Sequence, residues 1–231
     1  MGVKNRANSG IFGLDELIEG GLPTGSVTLL SGTCGTGKSI FGMQFIYFGA
    51  KAGEPGVFIS FEENPESIKS NVSGFGWDIE KLERENKIII IRIDPFHVED
   101  IYDLVESAIK KIKAKRVVID SISALGLYIR DPPEIRLTIL NLSSLLRKLG
   151  CTSIITSEIL PTQENLSRFG VEEFVADGVI ILYYLRVDAK YARSLTVWKM
   201  RGTEHSQKLH PYAISKKGII TYPKEEAFVK K

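Results

Sequence analysis

A glycine-rich stretch between an apolar run and a helix-like run restricts the fold more than any other feature of this 231-residue chain. Residues 32–39 read GTCGTGKS, the pattern G-x-x-x-x-G-K-S, after the strand-like run SVTLLSG and before KSIFGMQFIYFGA. Glycines let the backbone turn so that consecutive N–H groups point at an anion, and the following helix adds the positive end of its dipole. The pattern predicts a strand, a phosphate-binding loop and a helix, in that order.

This loop supplies the first candidate site residues. The Lys38 ammonium is expected to reach the β- and γ-phosphates of a nucleotide, and the Ser39 hydroxyl to bind Mg²⁺. We therefore predict that ATP or ADP binds here with Mg²⁺, and Lys38 is assigned to both binding and catalysis. The nucleotide-binding residues predicted in the loop are Thr33, Gly35, Thr36, Gly37, Lys38, Ser39 and Ile40.

Strand-like and helix-like runs alternate along the rest of the chain. The helix-like runs are 97–114 and 134–149, and Asn64-Pro65 resembles a helix N-cap followed by proline at the first helical position. Several strand-like runs are apolar almost throughout, which is typical of parallel strands buried on both faces. This alternation predicts a doubly wound α/β domain. The strand-like runs are 26–32, 56–62, 87–94, 116–121, 151–158 and 179–187.

The C-terminal part changes character. Residues 194–202 and 212–222 are predicted to form antiparallel strands, the latter with a turn around Lys217-Gly218. No repeat or low-complexity linker divides the chain, so we expect one domain over residues 10–223. Flexible tails are expected over 1–9 and 224–231.

Two more motifs provide acidic side chains. The run RVVIDS places Asp120 at the carboxyl end of a strand, where ligands of open α/β sheets bind, and Asp120 resembles a Walker B acid that holds Mg²⁺ through water. The alternative is that Asp120 only caps the next segment.

The run FISFEEN ends a strand in Glu62 and Glu63, whose side chains would point to opposite faces. We favour Glu62 as the general base with Glu63 in support; a solvated strand end that caps a helix at Asn64 is the alternative.

Charge and cysteine content exclude several classes. Thirty Lys and Arg against 28 Asp and Glu give a net charge of +2, and the basic stretch KKIKAKR ends a predicted helix, where cations complement the helix dipole. A dedicated nucleic-acid interface is therefore not expected.

Cys34 and Cys151 are too few for a metal cluster or a disulfide framework. No apolar run approaches the ~20 residues of a membrane span, and the first residues lack the apolar core of a signal peptide. A cytoplasmic protein is expected.

Five segments together resemble the RecA-like ATPases of the KaiC type. They are GLDELIEGGLPTGSVTLLSGTCGTGKS, GVFISFEENPESI, RVVIDSISAL, RFGVEEFVADGVIIL and KMRGTEH, and the resemblance extends from about residue 10 to 222. The resemblance implies a RecA-like core and a homo-oligomeric ring, usually hexameric, that holds ATP between neighbouring subunits. It also implies that Glu62 and Glu63 form the catalytic pair.

The same resemblance assigns residues near the C-terminus. It implies that Lys199 and Arg201 enter the neighbouring subunit's ATP site, and that Thr203 and His205 contact nucleotide nearby. Spacing alone shows only that Lys199 and Arg201 share one side of a strand, which is equally typical of a solvated edge strand. Lys216 stands where the family has an acidic residue near the base and ribose, so base preference is left open.

The expected function is that of a slow, Mg-dependent, oligomeric ATPase serving as a regulatory switch. The KaiC clock protein has two tandem copies of this domain and this chain has one, so neither the phosphorylation chemistry of the second copy nor a circadian role is implied. Two alternatives remain: an ATP-dependent assembly scaffold that does not hydrolyse ATP and recruits a protein partner, and a recombinase-like ATPase stimulated by DNA. The latter is disfavoured because the arginines in loops 124–136 and 158–170 are balanced by acids.

Overall fold

The apolar runs form strands as their residue types predict. The computed structural model describes residues 5–96, 98–160, 165–187 and 189–227. Its strands are β1 (Arg6–Ala7), β2 (Leu22–Pro23), β3 (Val27–Gly32), β4 (Gly56–Ser60), β5 (Ile88–Arg92), β6 (Arg116–Asp120), β7 (Thr152–Glu158), β8 (Gly178–Val187), β9 (Lys190–Met200), β10 (His210–Ser215) and β11 (Gly218–Thr221). Its α-helices are α1 (Lys38–Lys51), α2 (Pro65–Val72), α3 (Ile79–Arg84), α4 (Val98–Ile112), α5 (Pro132–Lys148) and α6 (Glu172–Val175).

Nine of the described strands form one sheet in the order β11-β10-β9-β8-β3-β7-β6-β4-β5. The six strands from β8 to β5 are parallel, and β9, β10 and β11 extend the sheet antiparallel. The predicted α/β architecture with antiparallel C-terminal strands is confirmed. The register aligns Gly32 with Glu158 and Ser60 with Asp120, so four strands end along one carboxyl edge.

Helices cover both faces of the parallel strands. On one face, Phe41 and Phe45 of α1 pack in a core that also holds side chains from α2 and α3. On the other, α4 and α5 pack in a second core. Val118 of β6 belongs to the first core and Val117 to the second, as the alternation of side chains along a strand requires. This double cover explains the continuous apolar runs.

The predicted strand over 56–62 is too long by two residues. β4 ends at Ser60, whose hydroxyl accepts hydrogen bonds from the N–H groups of Glu62 (3.2 Å) and Glu63 (2.8 Å) and turns the chain. The Asn64 side chain then caps α2 by accepting from the Ser67 N–H at 2.8 Å, as predicted. Because both glutamates lie in this turn, strand alternation does not decide which of them faces the site.

The described parts of the two expected tails pack against the domain. Arg6–Ala7 pairs antiparallel with Leu22–Pro23, and Ala7 is buried, so the expectation of a loose segment over 1–9 is wrong for residues 5–9. At the other end, the Ala227 N–H donates to the Leu209 carbonyl at 2.8 Å. Residues 1–4 and 228–231 lie outside the described residues.

Other differences are at element ends. The turn between β10 and β11 consists of Lys216 and Lys217, one residue earlier than predicted, and Gly218 opens β11 with a φ of +103°. The predicted strand over 194–202 starts earlier and ends at Met200. It lies between β8 and β10 in the sheet order rather than at an edge.

Candidate functional site

The loop between β3 and α1 has the backbone that its glycines predict. Gly35 and Gly37 have φ angles of +75° and +91°, which residues with a Cβ rarely adopt. The Thr36 hydroxyl donates to the Thr33 carbonyl at 2.8 Å, closing the turn from inside. From outside, the buried Tyr212 hydroxyl of β10 donates to the Thr36 carbonyl at 2.6 Å. The loop is therefore held in its turned shape by both its own side chains and the C-terminal strands.

The Lys38 ammonium folds back over this loop. Its Nζ donates to the carbonyls of Gly32 (2.9 Å) and Thr33 (3.1 Å). Burial lowers the pKa of Lys38, and the nearby carboxylates of Asp120 and Glu158 oppose that effect. A partly buried cation at the first residue of α1, where the helix dipole is positive, is suited to an anion with several charges, such as a polyphosphate.

Asp120 and Ser39 meet at the carboxyl edge of the sheet. Burial raises the pKa of Asp120, while hydrogen bonds from the hydroxyls of Ser39 and Thr156 act in the opposite direction. A hydroxyl and a carboxylate are hard oxygen ligands of the kind that Mg²⁺ takes, and Mg²⁺ sites commonly use one or two protein oxygens together with substrate phosphates. The donor set therefore fits Mg²⁺ held jointly with a nucleotide. Among the described residues, no group of three or more His, Cys, Asp or Glu forms a metal cluster by itself.

A cleft of about 450 Å³ opens above the loop and collects the acidic side chains. Glu62 faces it with no hydrogen bond to its carboxylate from the described residues, and burial together with Glu158, Asp120 and Glu63 raises the pKa of Glu62. The Glu63 carboxylate instead accepts from the Ser67 hydroxyl (2.9 Å) and the Asn71 amide (3.0 Å). The cleft is lined by Cys34, Gly35, Gly37, Lys38, Ser39, Ile40, Ser60, Glu62, Glu63, Asn71, Asp120, Ser121 and Glu158.

Glu158 is a cleft residue that the sequence reasoning missed. It is the last residue of β7 and pairs with Gly32 at the start of the loop. The Ser123 hydroxyl accepts its N–H at 2.9 Å, which ties this strand end to the segment after Asp120. The same argument that selected Asp120, a carboxylate at the carboxyl end of a parallel strand, would have selected Glu158.

Lys199 and Arg201 lie away from this cleft. Lys199 Nζ donates to the carbonyls of Glu173 (2.9 Å) and Ala176 (2.7 Å), and the Arg201 guanidinium lies 3.4 Å from the Asp177 carboxylate. The same carboxylate accepts the Val27 N–H at 3.0 Å, at the amino end of β3. The structure therefore brings both cations together at the end of the sheet opposite the chain's own phosphate loop.

Thr203 and His205 lie in the connection from β9 to β10. The Thr203 hydroxyl accepts from the Arg6 guanidinium at 2.7 Å, and His205 Nδ1 lies 3.0 Å from the Ser206 carbonyl. Neither residue lines the cleft around Lys38. Lys216 is exposed in the turn between β10 and β11.

Comparison with known proteins agrees with this architecture. The family model described as "ATPase: KaiC" matches residues 7–226. The chain belongs to the KaiC family. The predicted resemblance is thus confirmed, and membership implies a nucleotide-binding domain of the ATPase type.

Relatives of this chain include proteins that it covers almost completely and longer ones that it covers to about half. The chain is 41% identical to a UPF0273 protein of Thermotoga maritima, over 95% of this chain and 97% of the relative. It is 40% identical to the circadian clock protein KaiC3 of Synechocystis, with 94% of this chain matching 46% of that protein. The crystal structure of a KaiC-like protein from Pyrococcus horikoshii superposes with a TM-score of 0.89 at 43% identity, covering 95% of this chain and all of that one. In this KaiC-family chain, no helix among the described residues is long and apolar enough to cross a membrane.

Proposed function

We propose that this protein is an Mg-dependent ATPase that works as a homo-oligomeric ring, with ATP held between neighbouring subunits, and that it acts as a slow regulatory switch. One observation carries the proposal: the phosphate loop, Ser39 and Asp120, and the carboxylates of Glu62, Glu63 and Glu158 all face one cleft. Binding a nucleotide needs the loop alone. A group of carboxylates opposite the loop adds the means to activate water.

The residues divide the work of hydrolysis between them. The loop N–H groups and Lys38 bind the phosphates, and bound Mg²⁺ would neutralise phosphate charge. Glu62 accepts a proton from the attacking water, because its carboxylate is free of hydrogen bonds from the described residues and its raised pKa makes it a stronger base than an ordinary glutamate. Glu63 is held by Ser67 and Asn71 and supports the turn that presents Glu62.

A shared site is supported by where the cations lie. Lys199 and Arg201 sit at the amino end of β3, whereas the loop follows its carboxyl end. In a head-to-tail ring, each subunit presents one of these surfaces to each neighbour, so cations of one subunit can meet the nucleotide of the next. A cation supplied in this way offsets the charge that develops on the transferred phosphoryl group.

The mass of the particle, measured with and without Mg-ATP alongside phosphate release, tests the proposal. We expect a ring mass and continuous phosphate release that needs Mg²⁺. Ring formation without phosphate release would instead support the assembly scaffold. Phosphate release that rises on addition of single-stranded DNA and falls with salt would support the recombinase-like alternative.

A further inference from the structure

Two arginines contact one carboxylate at the amino end of β3, and a lysine lies close by. Asp177 accepts from Arg147 Nε at 3.0 Å and lies 3.4 Å from Arg201 Nη1, and Lys199 is held just beyond by the carbonyls of Glu173 and Ala176. This group, here called the Asp177 cluster (Arg147, Asp177, Lys199 and Arg201), carries three positive charges against one negative charge. It borders a cavity that is lined by Arg147, Asp177 and Arg201.

We propose that Asp177 is a positioning residue for hydrolysis, which orients the Arg201 guanidinium toward the neighbour's nucleotide, and that Arg147 holds Asp177 in place for this task. The inference rests on the proposed function, in which Arg201 acts on the adjacent subunit's ATP. It adds two residues to that site that touch neither the nucleotide nor the chain's own cleft.

Asp177 is fixed by two donors to its carboxylate and by a hydrogen bond from its own backbone N–H. Its Oδ2 accepts from the Val27 N–H at 3.0 Å and from Arg147 Nε at 3.0 Å, and Arg147 also donates from Nη2 to the Val175 carbonyl at 3.0 Å. The Asp177 backbone N–H donates to the Val27 carbonyl at 2.8 Å. With Oδ2 committed to these donors, Oδ1 is the oxygen that remains to face Arg201.

Arg201 is held so that it can still bind something else. Its backbone N–H donates to the Asp177 carbonyl at 2.9 Å, while its side chain is 57% exposed and has one long contact to Oδ1. A guanidinium has five N–H donors in a rigid fork, so one oxygen at its edge leaves the other donors for an anion. Lys199, in contrast, already donates to two carbonyls. An exposed ion pair of this kind adds little to folding stability, so a stabilising role does not account for it.

The decisive experiment is a double-mutant cycle on ATP turnover with Asp177→Asn, Arg201→Ala and the combined variant. The amide keeps an oxygen for Val27 but removes the charge that orients Arg201. We expect Asp177→Asn to lower kcat by roughly tenfold or more, less than loss of a whole arginine finger, with ADP affinity at the intact loop unchanged. If Asp177 acts only through Arg201, the combined variant is no slower than Arg201→Ala alone. Glu106→Gln, which removes the carboxylate of the Glu106–Lys110 pair on α4, is the matched control and keeps wild-type turnover.

Subunit mixing gives a second readout that a merely structural role would not produce. Asp177→Asn mixed with Lys38→Ala should regain activity, because one variant has an intact loop and the other an intact Arg201 with its support. Asp177→Asn mixed with Arg201→Ala should not, because both defects lie on the same surface. If Asp177→Asn does not fold, Arg147→Lys tests the same contacts. Lysine keeps the positive charge, but it cannot donate to the Asp177 carboxylate and the Val175 carbonyl at the same time in the way that the arginine does. We expect it to lower kcat in the same non-additive way.

The results separate this inference from the proposed function. Turnover that Arg201→Ala slows but that neither Asp177→Asn nor Arg147→Lys slows overturns the inference alone. A combined variant that multiplies the two losses does the same, because it shows that Asp177 acts independently of Arg201. Absence of ATP turnover in the wild type contradicts the proposed function and removes the basis of the inference.

Discussion

Lys38 and Arg201 lie at opposite ends of β3. Lys38 donates to the carbonyl of Gly32, the last residue of the strand, and Arg201 contacts Asp177, which hydrogen-bonds Val27, its first residue. Five residue steps separate Val27 from Gly32, so the two ends are about 17 Å apart in an extended strand. Two cations so placed cannot both contact the γ-phosphate of one nucleotide within one chain. A site that uses both requires two subunits.

Lys38→Ala should abolish or greatly weaken the binding of ATP and ADP. The change removes the cation that lies over the loop and no core side chain, so the fold should remain. Titration calorimetry measures the affinity, and circular dichroism checks the fold. Lys51→Ala, at the far end of the same helix, is the control and should bind nucleotide normally. Unchanged affinity in Lys38→Ala would contradict the assignment of the loop.

Glu62→Gln should separate binding from hydrolysis. We expect ATP affinity within a few-fold of wild type and turnover lower by ~10²-fold or more, the usual effect of losing a general base. Glu63→Gln should have a smaller effect, because Glu63 is held by Ser67 and Asn71 rather than free in the cleft. Steady-state phosphate release compares the two variants. A larger loss in Glu63→Gln would show that the roles are reversed.

The pH dependence of kcat should report the charge of the cleft. Glu62 must be ionised to accept a proton, and its pKa is raised by burial and by its acidic neighbours, so activity should fall with acid at a higher pH than for an ordinary glutamate. Glu158→Gln removes one of the neighbouring negative charges. It should therefore lower the pKa of Glu62 and move the acidic limb of the profile to lower pH. A limb that stays in place would mean that Glu62 is not the group observed.

The architecture and the loop could be predicted because each depends on local signals. Apolar strands, helix periodicity and the spacing of glycines to Lys38 are all properties of short segments. The turn at Ser60 could not be predicted in this way, because it depends on the Ser60 hydroxyl, which accepts from the N–H groups of Glu62 and Glu63. The pattern FISFEEN fits a longer strand equally well.

Contacts between residues distant in sequence are the main features that the sequence does not predict. Glu158 reaches the cleft because β7 pairs with β3. Asp177 meets Arg201 because β8 and β9 pair antiparallel, with Gly178 opposite Met200, and it also contacts Arg147 at the end of α5. Residues 5–9 were expected to be loose, since nothing within them shows that β2 offers a pairing partner. The family resemblance points to Lys199 and Arg201; their position opposite the loop follows from the antiparallel register of β8 and β9, in which Met200 pairs with Gly178 at the start of β8.

The two cysteines should differ sharply in reactivity. Cys34 is exposed in the loop and lines the cleft, whereas Cys151 is buried and burial raises the pKa of its thiol to about 11. An alkylating reagent at pH 8 should label Cys34, and Mg-ATP should protect it. Mass spectrometry locates the label, and Cys34→Ser should remain unlabelled until the protein unfolds. Labelling of Cys34 at the same rate with and without Mg-ATP would place the nucleotide elsewhere.

Restoration of activity on mixing Lys38→Ala with Arg201→Ala tests the shared site most directly. Each variant alone should turn over ATP slowly, the first for lack of binding and the second for lack of the neighbour's cation. In rings of randomly mixed subunits, a site is intact only where the loop comes from one variant and Arg201 from the other, so equal mixing should restore about a quarter of wild-type activity. Rings verified by mass to contain both variants, yet with no more activity than the two apart, would contradict the account.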